Sequence, residues 1–113
     1  DNHYSTARDL AMLAKYAFDN EFIAQTVILH DLTVYSEDRS MSHQLETTNE
    51  LLDSYLDIRG GKTGFTDNAG QVLICSAAGQ DNNKIITVVM NSPDRFQETK
   101  SVIDWVWGNF YWD

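Results

Sequence analysis

Three strand-like segments in the second half of the chain restrict its fold more than any other feature. Residues 60–66, 70–78 and 84–91 have the length and composition of strands. The polar segments 66–69 and 79–83 separate them, and this arrangement is typical of an antiparallel meander. After Asn91 the apolar residues change to a helical period, which predicts a helix that covers the sheet. Its stripe consists of Phe96, Thr99, Ile103, Val106, Trp107 and Phe110.

The first half of the chain is predicted to begin with a helix. Ser5 or Thr6 can cap it. Thr6 with Asp9 fits the capping pattern in which a hydroxyl and a carboxylate accept hydrogen bonds from free backbone N–H groups. Apolar residues then recur at helical spacing over residues 7–18. Weaker patterns predict a helix at 20–26 with Phe22 and Ile23 inward, a strand at 32–36, a loop at 37–43 and a helical turn capped by Asn49.

These elements predict an α+β chain, with a helical part at about 1–58 and the sheet and last helix at about 59–113. Composition narrows the function classes. The net charge of -9, without a Lys or Arg cluster, argues against nucleic acid as a partner. No apolar run reaches the length of a membrane helix, and a single cysteine excludes an internal disulfide framework and a Cys-rich zinc site.

Metal and phosphate sites find little support in the sequence. The three histidines share no i, i+4 spacing, and His43 with Glu46 is a weak pair, so no metal site is predicted. The triplet Lys62-Thr63-Gly64 superficially suggests a phosphate loop, but the Gly-x4-Gly-Lys spacing is missing. What distinguishes this triplet is its place at a predicted strand, after two glycines and before a polar turn. A Lys-Thr-Gly in this context is a signature of serine enzymes that act on D-alanyl peptides and β-lactams.

The chain resembles the serine D-alanyl-D-alanine carboxypeptidases, low-molecular-weight penicillin-binding proteins with a β-lactamase/transpeptidase-like fold. The resemblance runs through most of the chain in four segments. They are HYSTARDLA (3–11), NELL (49–52), GGKTGFTDNAG (60–70), and DRF (94–96) with DWVW (104–107). It implies that the chain is the C-terminal part of such a catalytic domain, holding one wall of the active site.

The resemblance also implies roles for single residues. Lys62 would place an ammonium beside the nucleophile and the terminal carboxylate of the substrate, and the Thr63 hydroxyl would bind that carboxylate. Gly64 would let the substrate lie against the strand edge, and the Phe65 N–H would donate to the oxyanion. Thr66 and Asn49 would line or brace the cleft. The alternative for each is structural: a solvated lysine, a β-forming threonine and turn glycines.

The chain departs from the family pattern at the nucleophile. The family uses a Ser-x-x-Lys, which contains the acylated serine, and a Ser-x-Asn. None of the serines at 5, 36, 40, 42, 54, 76, 92 and 101 has Lys three residues later or Asn two residues later. Both motifs normally precede the position at which this chain begins, so we expect it to be inactive alone.

The resemblance predicts an enzyme that removes the terminal D-Ala from peptidoglycan stem peptides, with no metal or organic cofactor, on the outer side of the cytoplasmic membrane. β-Lactams would acylate the intact enzyme. Two alternatives stay open: a β-lactamase-related fragment, and a non-catalytic module that binds a peptide or partner. A penicillin label and the upstream sequence discriminate between a carboxypeptidase fragment and the non-catalytic module. The match that extends through Asp94 and Trp107 favours a carboxypeptidase over a β-lactamase.

Sheet strands from the earlier part of the family's domain would normally pair with those of this chain. We therefore expect an uncovered sheet edge and self-association or domain swapping through it. The apolar residues left over would be Val72, Ile74, Ile86, Val88, Trp105, Trp107 and Trp112.

Overall fold

The computed structural model describes residues 2–79 and 81–112 and begins with two helices. Helix α1 spans Ala7–Phe18 and α2 spans Glu21–Thr26. The Thr6 hydroxyl accepts a hydrogen bond from the Asp9 N–H at 3.1 Å, which confirms Thr6 as the cap. The prediction for Phe22 was wrong: its side chain is 78% exposed, because Ile23 and Ala24 form the half-buried side of α2.

A two-stranded hairpin follows, of which the sequence predicted only the first strand. Strand β1, Asp31–Tyr35, pairs antiparallel with β2, Ser42–Glu46. The second strand was missed because every residue of it is exposed, and its sequence SHQLE has no strand-like apolar alternation. The region expected to be helical up to about residue 58 therefore also contains a hairpin.

The predicted meander is present. Strand β3 spans Asp57–Thr66, β4 spans Gly70–Ala78 and β5 spans Lys84–Ser92, in the spatial order β3-β4-β5 with antiparallel pairing. Strand β3 begins three residues before the predicted start at residue 60, and its register shifts between Ile58 and Gly60. The second predicted turn contains Gln80, which lies outside the described residues.

One face of this sheet forms the core. Leu73, Cys75 and Ala77 of β4 pack with Leu51 and Ile103, all almost fully buried. Leu51 comes from a 3-10 turn, Glu50–Asp53, which Asn49 caps as predicted. Ile103 comes from helix α3, Arg95–Asn109, which covers the sheet. The predicted stripe is correct except at its end, since Phe110 lies beyond the helix and is half-exposed.

The opposite face of the sheet is only partly covered. An added Cβ at Gly60 would lie 2.8 Å from the Val27 side chain and 3.7 Å from Phe18, so α1 and the end of α2 pack there. Further along this face, Val72 and Ile74 of β4 remain half-buried. Of the helices among the described residues, none is long and apolar enough to cross a bilayer.

Candidate active site

A groove of about 260 Å³ runs between the β1–β2 hairpin and strand β3. Its floor is the middle of β3, and its walls come from the end of α2, the hairpin and the segment that leads into the 3-10 turn. Both apolar and polar side chains line it. The polar residues include Thr26, His30, Asp31, Glu46, Thr47, Thr48, Asn49, Lys62 and Thr63.

Thr63 is a buried polar residue of this groove. Its side chain is buried, with 8% of its surface exposed, and its hydroxyl lies 2.5 Å from the Thr48 hydroxyl. Burial of a hydroxyl is tolerated when it is hydrogen-bonded, and here the partner is a second hydroxyl that also lines the groove. Thr48, the residue before Asn49, therefore belongs to the candidate site.

Asn49 lies behind the strand and braces it. Its side-chain carbonyl accepts a hydrogen bond from the Leu51 N–H at 3.2 Å, and its backbone N–H donates to the Thr47 hydroxyl at 3.1 Å. A Cβ on Gly61 would come within 2.6 Å of the Asn49 amide nitrogen. A glycine is therefore required there for Asn49 to pack against β3, since any side chain would displace the amide.

Lys62 is exposed at the groove, with its ammonium hydrogen-bonded to the backbone carbonyl of Thr63. It supplies the positive charge of the groove on the side of β3. Across the groove, His30 forms a pair with Asp53 at 3.3 Å between Nδ1 and Oδ1. Asp31 and Glu46 line the groove together with Lys62, so a negatively charged ligand group is attracted toward the Lys62 end.

The other expected site residues lie further along β3. The Gly64 carbonyl accepts from the Arg95 guanidinium at 3.0 Å, and Phe65 has a side chain that is 64% exposed. The Thr66 hydroxyl accepts from the Ala69 N–H at 3.0 Å and so stabilises the hairpin turn. The structure brings Asn49, Lys62 and Thr63 together in the groove, while the segment 64–66 continues past its end. In the described sheet β3 is an edge strand, so one side of its backbone is not paired with another strand.

Two contact residues were missed by reasoning from the sequence. Thr48 touches the site through Thr63, and Arg95 touches it through Gly64. For Thr48 the only signal was its position beside Asn49. Arg95 belongs to the DRF segment, but no local pattern indicates that it reaches a strand 31 residues earlier.

The described part of the chain offers no activated nucleophile at this groove. Cys75 is buried in the core behind the sheet, and desolvation raises the pKa of its thiol to about 12, which keeps it protonated and unreactive. No serine lines the groove. Among residues 2–79 and 81–112, no group of three His, Cys, Asp or Glu side chains has the geometry to bind a metal ion.

Comparison with known proteins gives one family. The family model described as D-alanyl-D-alanine carboxypeptidase matches residues 1–94. The chain is 30% identical to the D-alanyl-D-alanine carboxypeptidase DacA of Haemophilus influenzae, over 96% of this chain and 28% of that protein. It is 30% identical to DacC of Escherichia coli, over 90% of this chain and 25% of that protein. The chain thus spans about a quarter of the length of the curated relatives it matches.

Solved structures agree with this result. The Streptomyces K15 DD-transpeptidase superposes with a TM-score of 0.85 at 26% identity, over 94% of this chain and 43% of that chain. A D-alanyl-D-alanine carboxypeptidase from Mycobacterium tuberculosis superposes with a TM-score of 0.81 at 24% identity, over 94% of this chain and 41% of that one, and supports the fold alone.

Proposed function

The chain belongs to the D-alanyl-D-alanine carboxypeptidase family, and we propose that it forms the Lys-Thr-Gly wall of a serine D-alanyl-D-alanine carboxypeptidase. The complete protein would remove the terminal D-Ala from peptidoglycan stem peptides through an acyl-serine intermediate. One observation carries the proposal. The Thr63 hydroxyl and the Lys62 residue of the triplet line a groove beside an edge strand that could accept an extended peptide.

Lys62 and Thr63 would hold the terminal carboxylate of the substrate. An ammonium and a hydroxyl are complementary to a carboxylate, which accepts hydrogen bonds and carries negative charge. Both residues line the same groove. In the reaction, the Lys62 charge would also stabilise the negative charge that develops next to the nucleophile.

Gly64 and Phe65 would bind the substrate backbone. Without a side chain, Gly64 leaves room for a peptide to approach the edge of β3 as an added strand. The Phe65 N–H would serve as one oxyanion donor, a role that needs the backbone and is independent of the exposed ring. Thr66 and Asn49 would act indirectly, and their observed hydrogen bonds support bracing of the strand and its turn.

The acylated serine and its lysine would come from a segment that this chain does not contain, because no Ser-x-x-Lys or Ser-x-Asn occurs in it. The isolated chain is then inactive, while the complete protein binds β-lactams covalently and works on the outer side of the bacterial cytoplasmic membrane. The family match favours this activity over the β-lactamase alternative.

Fluorescent penicillin tests the proposal. We expect the complete protein to be labelled covalently and to release D-Ala from a peptide that ends in D-Ala-D-Ala. The isolated chain should not be labelled. Lys62→Gln should slow acylation about 100-fold or more, the typical cost of removing one preorganised group that stabilises the transition state.

The matched control is Lys84→Gln, which removes another exposed lysine, at the start of β5. It should leave acylation unchanged. Labelling of the isolated chain would show that it holds a nucleophile after all. A complete protein that neither reacts with penicillin nor releases D-Ala would contradict the proposed function.

A further inference from the structure

The hydroxyl pair between Thr48 and Thr63 has a consequence for substrate selection. We propose that Thr48 is a positioning residue that directs the Thr63 hydroxyl toward an anionic substrate terminus, and thereby makes the site selective for a carboxylate over a neutral group. The inference rests on the proposed function, because it assumes that Thr63 meets the substrate terminus. Its basis is the distance of 2.5 Å between the two hydroxyl oxygens, across 15 residues of sequence.

Thr48 is held in place by its neighbours. Asn49 is 4% exposed, packs behind Gly61 and caps the 3-10 turn through its contact with Leu51. The Asn49 N–H is bonded to the Thr47 hydroxyl, so the residues on both sides of the Thr48 peptide are constrained. The Thr48 hydroxyl therefore reaches Thr63 from a braced segment.

Each hydroxyl of the pair carries one proton. Which of the two hydroxyls donates to the other decides whether Thr63 can donate a hydrogen bond to a ligand. Each hydroxyl donates one hydrogen bond and accepts up to two, and at this distance either oxygen can be the donor. If Thr63 donates to Thr48, it can only accept from a ligand. If Thr48 donates to Thr63, the Thr63 proton is free for an acceptor in the groove.

A carboxylate selects the second arrangement, because it offers acceptors only. Thr48 then donates to Thr63, Thr63 donates to the carboxylate, and each bond polarises the next. A carboxamide can instead donate its own N–H to Thr63, with the pair reversed. Removing the Thr48 hydroxyl should thus weaken carboxylate recognition and affect a carboxamide much less, while the Lys62 charge stays in place.

The experiment compares two peptides that end in D-Ala-D-Ala and differ only in a free carboxylate or a carboxamide. Release of D-alanine or D-alaninamide by the complete protein is followed by mass spectrometry, and kcat/KM is measured for each peptide. Thr48→Val, which keeps the branched shape without the hydroxyl, should lower kcat/KM about three- to tenfold for the carboxylate peptide, the loss typical of one hydrogen bond. For the carboxamide peptide the same substitution should change kcat/KM by less than about twofold, which is the variation expected for a residue that does not interact with the substrate terminus.

Two further variants complete the test. Thr48→Ser keeps the hydroxyl and should restore the native ratio of the two kcat/KM values. Thr33→Val makes the same chemical change on exposed strand β1, outside the groove, and should leave both values unchanged. An equal loss of kcat/KM on both peptides in Thr48→Val would overturn the role of Thr48 and leave the proposed function standing. A Thr48→Ser variant as impaired as Thr48→Val would do the same. A native protein that cleaves neither peptide would overturn the proposed function, and this inference with it.

Discussion

At the scale of single residues, Asp38 organises the loop of the β1–β2 hairpin. One of its carboxylate oxygens accepts from the Ser36 hydroxyl at 2.6 Å, the Ser40 hydroxyl at 2.8 Å and the Ser40 N–H at 3.1 Å. These bonds favour the ionised form, and they lower the pKa of Asp38 to about 2, with the Ser36 hydroxyl as the largest cause. The next loop residue, Arg39, adopts a left-handed backbone with φ of 58°. One carboxylate thus stabilises a strained turn.

The sign of the pH dependence follows from this shift. The pKa of Asp38 is lower in the folded chain than its ordinary value of 3.8. Ionised Asp38 therefore stabilises the folded chain above pH 3.8, and this stabilisation is lost as the pH falls through about 2. Carboxyl NMR of the folded chain should show Asp38 titrating near pH 2. Ser36→Ala should raise its midpoint, while Ser5→Ala, at an exposed serine outside the hairpin, should not. A native midpoint near 3.8 would contradict the observed contacts.

The residues of the candidate site were predictable only where a motif carries them. Lys62 and Thr63 stand in a triplet whose neighbours indicate a strand, so their place on β3 could be read from local sequence. Thr48 has no such signal. Its contact with Thr63 depends on how the segment after β2 folds back, and a polar residue in a loop has many other possible partners.

At the scale of elements, the N-terminus of α3 is fastened to the end of β3. The Arg95 guanidinium donates to the Gly64 carbonyl at 3.0 Å and lies 4.9 Å from the centre of the Phe96 ring. The Arg95 N–H donates to the Gln71 side chain at 3.2 Å, and Gln71 in turn donates to the Pro93 carbonyl at 3.3 Å. A single cluster therefore joins the helix to both strands of the hairpin that carries Gly64.

Arg95→Met should loosen this junction. It keeps the apolar stem but leaves the Gly64 carbonyl without the guanidinium, so we expect a loss of about 1–3 kcal/mol in the free energy of unfolding, measured with urea. Hydrogen exchange should increase in the segment 62–71. Arg59→Met is the control on the same strand: its pair with Asp57 is exposed, and removing it should leave the free energy of unfolding nearly unchanged. Equal losses in the two variants would argue against a special role for Arg95.

Elements were predicted well where burial imposes a period. Helix α1, the three-stranded meander and α3 each place apolar residues on one covered face, and that requirement shows in the sequence. Strand β2 fails this condition, because all five of its residues are exposed. Its pairing with β1 is made by backbone hydrogen bonds, which any side chains permit, so local pattern could not reveal it.

At the scale of the whole molecule, the described chain leaves much apolar surface open. Met12 and Leu13 on α1 are 65% and 61% exposed, and Trp105 on α3 is 58% exposed. The outer sides of β3 and β5 carry no strand partner within the described sheet. Large apolar groups and unpaired strand edges together favour association with another polypeptide.

We predict that the isolated chain self-associates through the edge of β5. Sedimentation velocity over a concentration series should show species larger than the monomer, and Met90→Lys, which puts a charge on an exposed position of β5, should shift them toward monomer. Lys100→Met leaves that edge untouched and serves as the comparison. Monomer at every concentration would refute the prediction. Circular dichroism checks that the Met90→Lys chain keeps its fold.

By itself, the sequence determined the α+β class, the order of the meander and its covering helix, the strand position of Lys62-Thr63-Gly64 and the absence of the family's serine motifs. Each of these is a local pattern or a count, and each follows from periodic burial or from the residues present. Only the tertiary structure decided that Thr48 meets Thr63 and that Arg95 holds Gly64. Those contacts join side chains separated by 15 and 31 residues, and they form because packing of the core fixes where the connecting segments return. A hydrogen bond between distant polar side chains leaves no period in the sequence, so its partners become known only when the chain is folded.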